Sequence, residues 1–429
     1  MKRLSYIRMV VWSLGVAAVT AAWAQSPPPP KILYGTTIPL LPANEFAIAT
    51  TVPTPQSPRA QYVVVAEAND NKDLAVLAWQ DTTSSLAPIS GQGIAQDQGV
   101  VSVAVTGLDP SRVVTADINQ EGVLSIQTWK VGPGGVVAQL GYRTAAATAA
   151  QDVAIASVSS NEVVTAYETT EGALVVEAWT IGEDGLPAPK AVVGKGPKVF
   201  EASIAAIAPN QVVTAAGDST DSLWVNTWEI DSSGVTPLDQ VQTADALSTV
   251  CIVAPRPQTV AVGAGQSFGL LTPSGSTPQY GFVRAAFTPV ITPACQLQVY
   301  YWGVSNAGVL TLQSTTTPTE AGDFGQVAAS MLPTNIPITS YTGGTGDDNV
   351  FIEQYTGFKL VDLSTATYSD PYGALNIASA TAGTDLSFLS LFDPYNAYFI
   401  SAGQFNPAES VPDGTLFINV LSYPEAPTL

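Results

Sequence analysis

Tryptophan sets the frame of this chain. Trp79, Trp129, Trp179 and Trp228 follow one another at intervals of 49 or 50 residues. Sixteen residues before each begins a β-rich tetrad: Val63-Val64-Val65-Ala66, Val113-Val114-Thr115-Ala116, Val163-Val164-Thr165-Ala166 and Val212-Val213-Thr214-Ala215. A period of this length without helical spacing belongs to an array of small antiparallel sheets. Each repeat offers four short strand candidates between Gly, Pro, Asn or Asp; in the third they are 153–158, 162–167, 173–181 and 186–193.

Side-chain size gives the strand order. Sheets that converge on an axis leave little room, so the small residues of Phe46-Ala47-Ile48-Ala49, Val153-Ala154-Ile155-Ala156, Ile204-Ala205-Ala206, Val327-Ala328-Ala329 and Ile377-Ala378-Ser379-Ala380 mark an innermost first strand. The tryptophans fall on the third strand, where the wedge between sheets is wide enough to bury a large ring. Gly135, Gly185, Gly234 and Gly308 then end tight turns that favour positive φ.

Extending the frame gives a fifth unit ending near Trp302, a sixth with 349–355 in the tryptophan slot, and a seventh containing 397–400 and 415–420. The seventh lacks a fourth strand, and 32–38 has no other sheet to join. The expectation is all-β: a single seven-bladed β-propeller of four-stranded antiparallel blades over 31–429, closed by an N-terminal outer strand that removes two exposed edges. The layout resembles β-propeller repeats of the WD40 type in strand order and in a Trp closing the third strand, over roughly residues 31 to 424. The Gly-His element and the Trp-Asp pair of those repeats are missing: the chain has no His, and Gln80, Lys130 and Thr180 follow the first three tryptophans.

Residues 1–24 read as a secretory signal peptide. Lys2, Arg3 and Arg8 precede an apolar stretch from Met9 to Ala22, and Ala22-Trp23-Ala24 offers an A-x-A cleavage site. Residues 25–30 form a Pro-rich tail, and no later segment is long and apolar enough to span a bilayer. The expected location is secreted or periplasmic, and the expected state a monomer. With 35 acidic against 15 basic residues the formal charge is −20, which argues against nucleic acid as a partner. Cys251 and Cys295 suit an oxidising compartment and are expected to form a disulfide. Strands two apart in a sheet lie about 9–10 Å from one another, so that bond requires the segment between them to bend over the second strand.

The lack of histidine removes Ser-His-Asp and Cys-His catalysis and His-ligated zinc. Beyond the signal peptide only Arg59, Arg112, Arg143, Arg256 and Arg284 remain, without the Asp-box turns of propeller sialidases, and quinone-dependent dehydrogenase signatures are likewise missing. No spacing singles out a carboxylate pair for glycoside cleavage. The expected role is therefore binding rather than catalysis, with no cofactor and no metal. Asp117-x-Asn119-x-Glu121-Gly122 partly resembles a Ca²⁺ loop but lacks the closing carboxylate, and a hairpin turn explains it equally well.

The loops from second to third strands are rich in Asp, Asn, Glu and Gly, which are also good turn formers. They place Asp117, Glu121, Glu168, Glu171, Asp218, Asp221, Asp347 and Asp348 on one face as partner-binding candidates. The fifth unit departs from the period, with 74 residues from Trp228 to Trp302; its excess carries Phe268, Tyr280, Phe282 and Arg284, a further partner-binding set. These features point to a scaffold holding a protein or glycan at the acidic loop face. A carbohydrate-binding or carbohydrate-cleaving propeller and a structural subunit of an extracellular assembly are the alternatives.

Overall fold

The computed structural model describes residues 31–38, 46–52, 61–69, 71–82, 85–89, 93–95, 99–132, 136–145, 149–220, 222–243, 249–256, 259–266, 296–316, 324–332, 336–343, 349–356, 361–369, 374–385, 396–405 and 416–424, with side-chain surroundings chiefly within 46–243 and 300–313. The described strands sort into seven antiparallel sheets. Unit 1 comprises Phe46–Thr50, Tyr62–Ala68 and Leu74–Asp81, with two short outer pieces, Leu86–Pro88 and Gly93–Ala95. Unit 2 runs Val100–Asp109, Arg112–Asn119, Leu124–Gly132 and Val136–Thr144. Unit 3 has Ala150–Ser159, Glu162–Thr169 and Ala173–Ile181, then Pro187–Pro189 and Gly194–Lys198. Unit 4 has Phe200–Ala208, Gln211–Gly217, Leu223–Ile230 and Val235–Thr243.

Units 5 and 6 repeat this order from Thr249–Arg256 to Leu310–Thr316 and from Phe324–Leu332 to Val361–Ser369. The last sheet is made of Ala374–Asp385, Asn396–Phe405 and Leu416–Pro424, and Lys31–Ile38 pairs antiparallel with the third of these. The first strands of successive units lie side by side, and Ala374–Asp385 also lies beside Phe46–Thr50. The described residues form an all-β array of antiparallel sheets, four-stranded except where the outer strand of units 1 and 3 is split in two, set blade beside blade as in a β-propeller.

Strand alternation turns one face of each sheet toward each neighbour. Val64 and Ala66 of unit 1 therefore meet Trp129 and Val131 of unit 2. Val114 and Ala116 meet Trp179, Val164 and Ala166 meet Trp228, and Val213 and Ala215 meet Trp302. Each of these tryptophans thus seals its unit against the preceding one, and all four are at most 2% exposed. Strict repetition of the ring is a packing requirement. Beneath two of them lies a glycine of the preceding outer edge: a Cβ on Gly93 would stand 2.7 Å from Trp129, and one on Gly194 2.8 Å from Trp228.

The fourth strand expected over 186–193 is broken. Pro187 and Pro189 cannot donate to a ladder, and the chain then leaves the sheet so that the Val192 amide donates to the Ser233 carbonyl of unit 4 (2.8 Å) and the Val192 carbonyl accepts from the Val235 amide (3.0 Å). Nearby, the start of the second strand reaches toward the next unit. Arg112 donates from Nε to Asp109 (2.6 Å) and from a terminal nitrogen to the Ser160 carbonyl of unit 3 (3.1 Å). Lys190 pairs with Glu162 and donates to the Asp231 carbonyl of unit 4 (2.6 Å), and Gln211 donates to the Asn306 carbonyl of unit 5 (3.0 Å). Among the described residues no helix is long and apolar enough to cross a membrane.

Candidate functional site

In units 1 to 4 the hairpin turns between second and third strands share one construction. The first residue of each lends its side-chain oxygen to the turn. Asn69 Oδ1 accepts from the Asn71 and Asp73 amides, and Asn119 Oδ1 from those of Glu121 and Val123. Thr169 Oγ1 accepts from Ala173, and Asp218 Oδ1 from Thr220 and Ser222. The fourth turn position is left-handed, at φ 58° for Lys72, 75° for Gly122 and 80° for Gly172. This is why Asx residues and Gly recur at these loops.

The turns are also tied to the following unit. The Lys72 carbonyl accepts from the Val100 amide (2.8 Å), Gly122 from Ala150 (2.9 Å) and Gly172 from Val199 (2.6 Å). Turns and first-strand starts therefore share one face and hold one another in place. The third turn residues, Asn71, Glu121 and Glu171, project outward and are exposed.

Among the described acidic candidates Glu121 and Glu171 are exposed on the turn tips, and Glu168 is half-buried at the end of its strand. Asp117 is a correction to the expected exposed loop: it lies within Arg112–Asn119, is fully buried, and accepts from Gln127 Nε2 (2.9 Å), while Gln127 Oε1 in turn accepts from Gln139 Nε2 (2.7 Å). Strand alternation carries its carboxylate into the seam with unit 1, where an amide chain solvates it in place of water. With Asp117 turned inward and the Asn119 oxygen spent on backbone amides, the alternating acceptors of the Ca²⁺-like loop do not converge. Asp221, Asp347, Asp348, Phe268, Tyr280, Phe282, Arg284 and Cys295 lie outside the described residues. Cys251 lies in Thr249–Arg256, opposite Gly263.

Asp218 likewise turns inward. Besides its turn bonds, Oδ1 accepts from Thr220 Oγ1 (2.6 Å), while Oδ2 accepts from Trp224 Nε1 (2.7 Å) and Gln242 Nε2 (3.2 Å). Burial opposes its charge, but the donors from Thr220, Trp224 and Ser222 outweigh that cost and hold the carboxyl below the ordinary aspartate range. Trp224 and Gln242 escaped the sequence reading. The available signal was a break in the repeat: Trp224 occupies the position of Ala75, Ser125 and Val175, four residues before the repeating ring.

Another buried carboxyl, Glu177, faces the seam between units 2 and 3 beside Tyr167. It is 7% exposed, and burial pushes it up to about 7. Burial, and then the charge of Glu177, also push the Tyr167 phenol up.

No protein-family profile matches this chain. No curated protein matches it either. Among solved structures, a mutant of AofleA from Arthrobotrys oligospora with three arginines changed to alanine is similar at 11% identity, over 78% of this chain and 90% of that one, with a TM-score of 0.42. A chain of a mitotic checkpoint complex is similar at 12% identity, over 90% of this chain and 94% of that one, with a TM-score of 0.45.

Proposed function

We propose that the chain is an exported, seven-bladed propeller closed by its N-terminal strand, and that it acts as a non-enzymatic scaffold holding a macromolecular partner on its turn face. The observation that carries this reading is the tie between the turns of units 1 to 3 and the next unit, through the Lys72, Gly122 and Gly172 carbonyls, which leaves Asn71, Glu121 and Glu171 outward on a hydrogen-bonded backbone. A surface fixed before contact loses little conformational freedom on binding. Support for closure is the pairing of Lys31–Ile38 with Leu416–Pro424 and the proximity of Ala374–Asp385 to Phe46–Thr50. Support for export is the basic start, apolar stretch and Ala22-Trp23-Ala24 site.

The test is capture from culture supernatant and envelope fractions with the full chain, expressed with its own leader. A Glu121→Lys/Glu171→Lys variant should lose the captured partner, whereas Glu183→Lys, exposed on the turn after the third strand of unit 3, should retain it. Equal capture by all three proteins overturns the reading.

A further inference from the structure

We infer that Trp224 is the stacking platform of a subsite for a neutral sugar ring on the turn face, at the seam between units 3 and 4. The inference rests on that face being the binding face and names the ligand chemistry for one point on it. Trp224 is the non-repeating tryptophan of unit 4. Packing explains Trp228, which is 1% exposed and repeats in every neighbouring unit. Trp224 packs against the apolar cluster of the seam between units 3 and 4 yet stays half-buried, and Ala75, Ser125 and Val175 fill its place in units 1 to 3.

What sets it apart is how it is held. Asp218 gathers five donors: Thr220 N and Oγ1 and the Ser222 amide at Oδ1, and Trp224 Nε1 and Gln242 Nε2 at Oδ2. The indole N–H is thereby satisfied and the ring plane fixed, so a ligand meets an oriented apolar surface at small entropic cost. Gln242 stands directly opposite Trp224 in register and is exposed, as is Thr220. An aromatic face beside an oriented amide and hydroxyl matches a sugar, which alternates C–H faces with hydroxyls. The sign of charge selects further: the Asp218 carboxylate stays ionised, Glu171 is exposed one turn away, and the chain carries −20 overall. Anionic sugars are thus disfavoured.

The experiment is a printed array of neutral, uronate-bearing and sialylated glycans probed with the full chain, followed by titration with the strongest array glycan in soluble form. Selective binding of neutral glycans is expected. Trp224→Ala should then lower affinity at least about tenfold and Trp224→Phe about threefold or less, because a smaller ring still stacks. Asp218→Asn, which keeps an acceptor for the turn but opposes an N–H₂ to the Trp224 or Gln242 donors, should weaken binding at unchanged fold by circular dichroism. No glycan binding by the wild type, or binding indifferent to Trp224→Phe and Trp224→Ala in folded proteins, overturns the subsite. A protein partner lost on Glu121→Lys/Glu171→Lys but kept on Trp224→Ala would overturn it while leaving the scaffold reading intact.

Discussion

The indole Nε1 of Trp129 donates to Thr115 Oγ1 across 2.9 Å inside the seam between units 1 and 2, and the same bond joins Trp179 to Thr165 and Trp228 to Thr214. Thr115→Val keeps the shape and removes the acceptor. Urea unfolding should show a loss of about 1–3 kcal/mol, the cost of a buried donor left alone. Unit 5 offers the converse. Trp302 Nε1 is buried without a partner among the described residues, and register puts Val262 where unit 2 has Thr115. Val262→Thr should raise stability by about 1 kcal/mol.

The left-handed turn position separates three substitutions. A Cβ on Gly122 would lie 2.9 Å from Ala149 Cα, so Gly122→Ala should cost about 2 kcal/mol or more. On Gly172 the nearest atom is 3.8 Å away, which leaves only the φ penalty of about 1 kcal/mol. Lys72 already bears that penalty at φ 58°, so Lys72→Gly should gain up to about 1 kcal/mol. Thermal unfolding of the three variants should reproduce this order.

Glu177 should make stability depend on pH. Its folded value, about 7, lies above the ordinary 4.5, so folding favours the protonated form. The contribution is fully present below about pH 4.5 and is lost as pH rises through 7. Glu177→Gln should therefore be more stable than the wild type at pH 8, by about 2–3 kcal/mol at most, and level with it at pH 4. Denaturant titrations at both values check this, and an equal gain at both would contradict it.

Arg112 joins two units through Asp109 and the Ser160 carbonyl. Arg112→Met preserves most of the stem and removes both bonds, together with a longer one to the Gly182 carbonyl (3.4 Å). A loss of about 1–2 kcal/mol is expected by chemical denaturation, with faster amide exchange at the Ser160–Asn161 turn.

Removing residues 25–38 should lower the melting temperature sharply, because Leu416–Pro424 would lose its partner strand and expose an edge. A synthetic peptide of residues 31–38 added to that truncated protein should restore part of the loss.

The unit boundaries were legible because a ring as large as Trp fits one place in a wedge of sheets. Gly185, Gly234 and Gly308 do adopt positive φ, at 84°, 145° and 79°. The site was harder to read. Asp117, Glu121 and Asp218 are all acidic residues near turns, yet one joins a buried amide chain, one is exposed and one anchors a tryptophan. Composition favours Asx at turns for its acceptor oxygen, and the same oxygen leaves no outward trace once backbone amides occupy it. The split outer strand of unit 3 was similarly hidden, since Pro187 and Pro189 announce a break while its Val192–Ser233 contact depends on the neighbouring unit.

The carbonyl that each turn passes to the following unit also bears on how such a chain can lengthen. Unit 2 donates a bond at Val100 and accepts one at Gly122; unit 3 donates at Ala150 and accepts at Gly172. Each is a plug on one side and a socket on the other. A duplicated copy of either would arrive already fitted to both flanks, whereas a fragment of one would leave a plug without a socket, so the heritable increment of this architecture is the whole repeat.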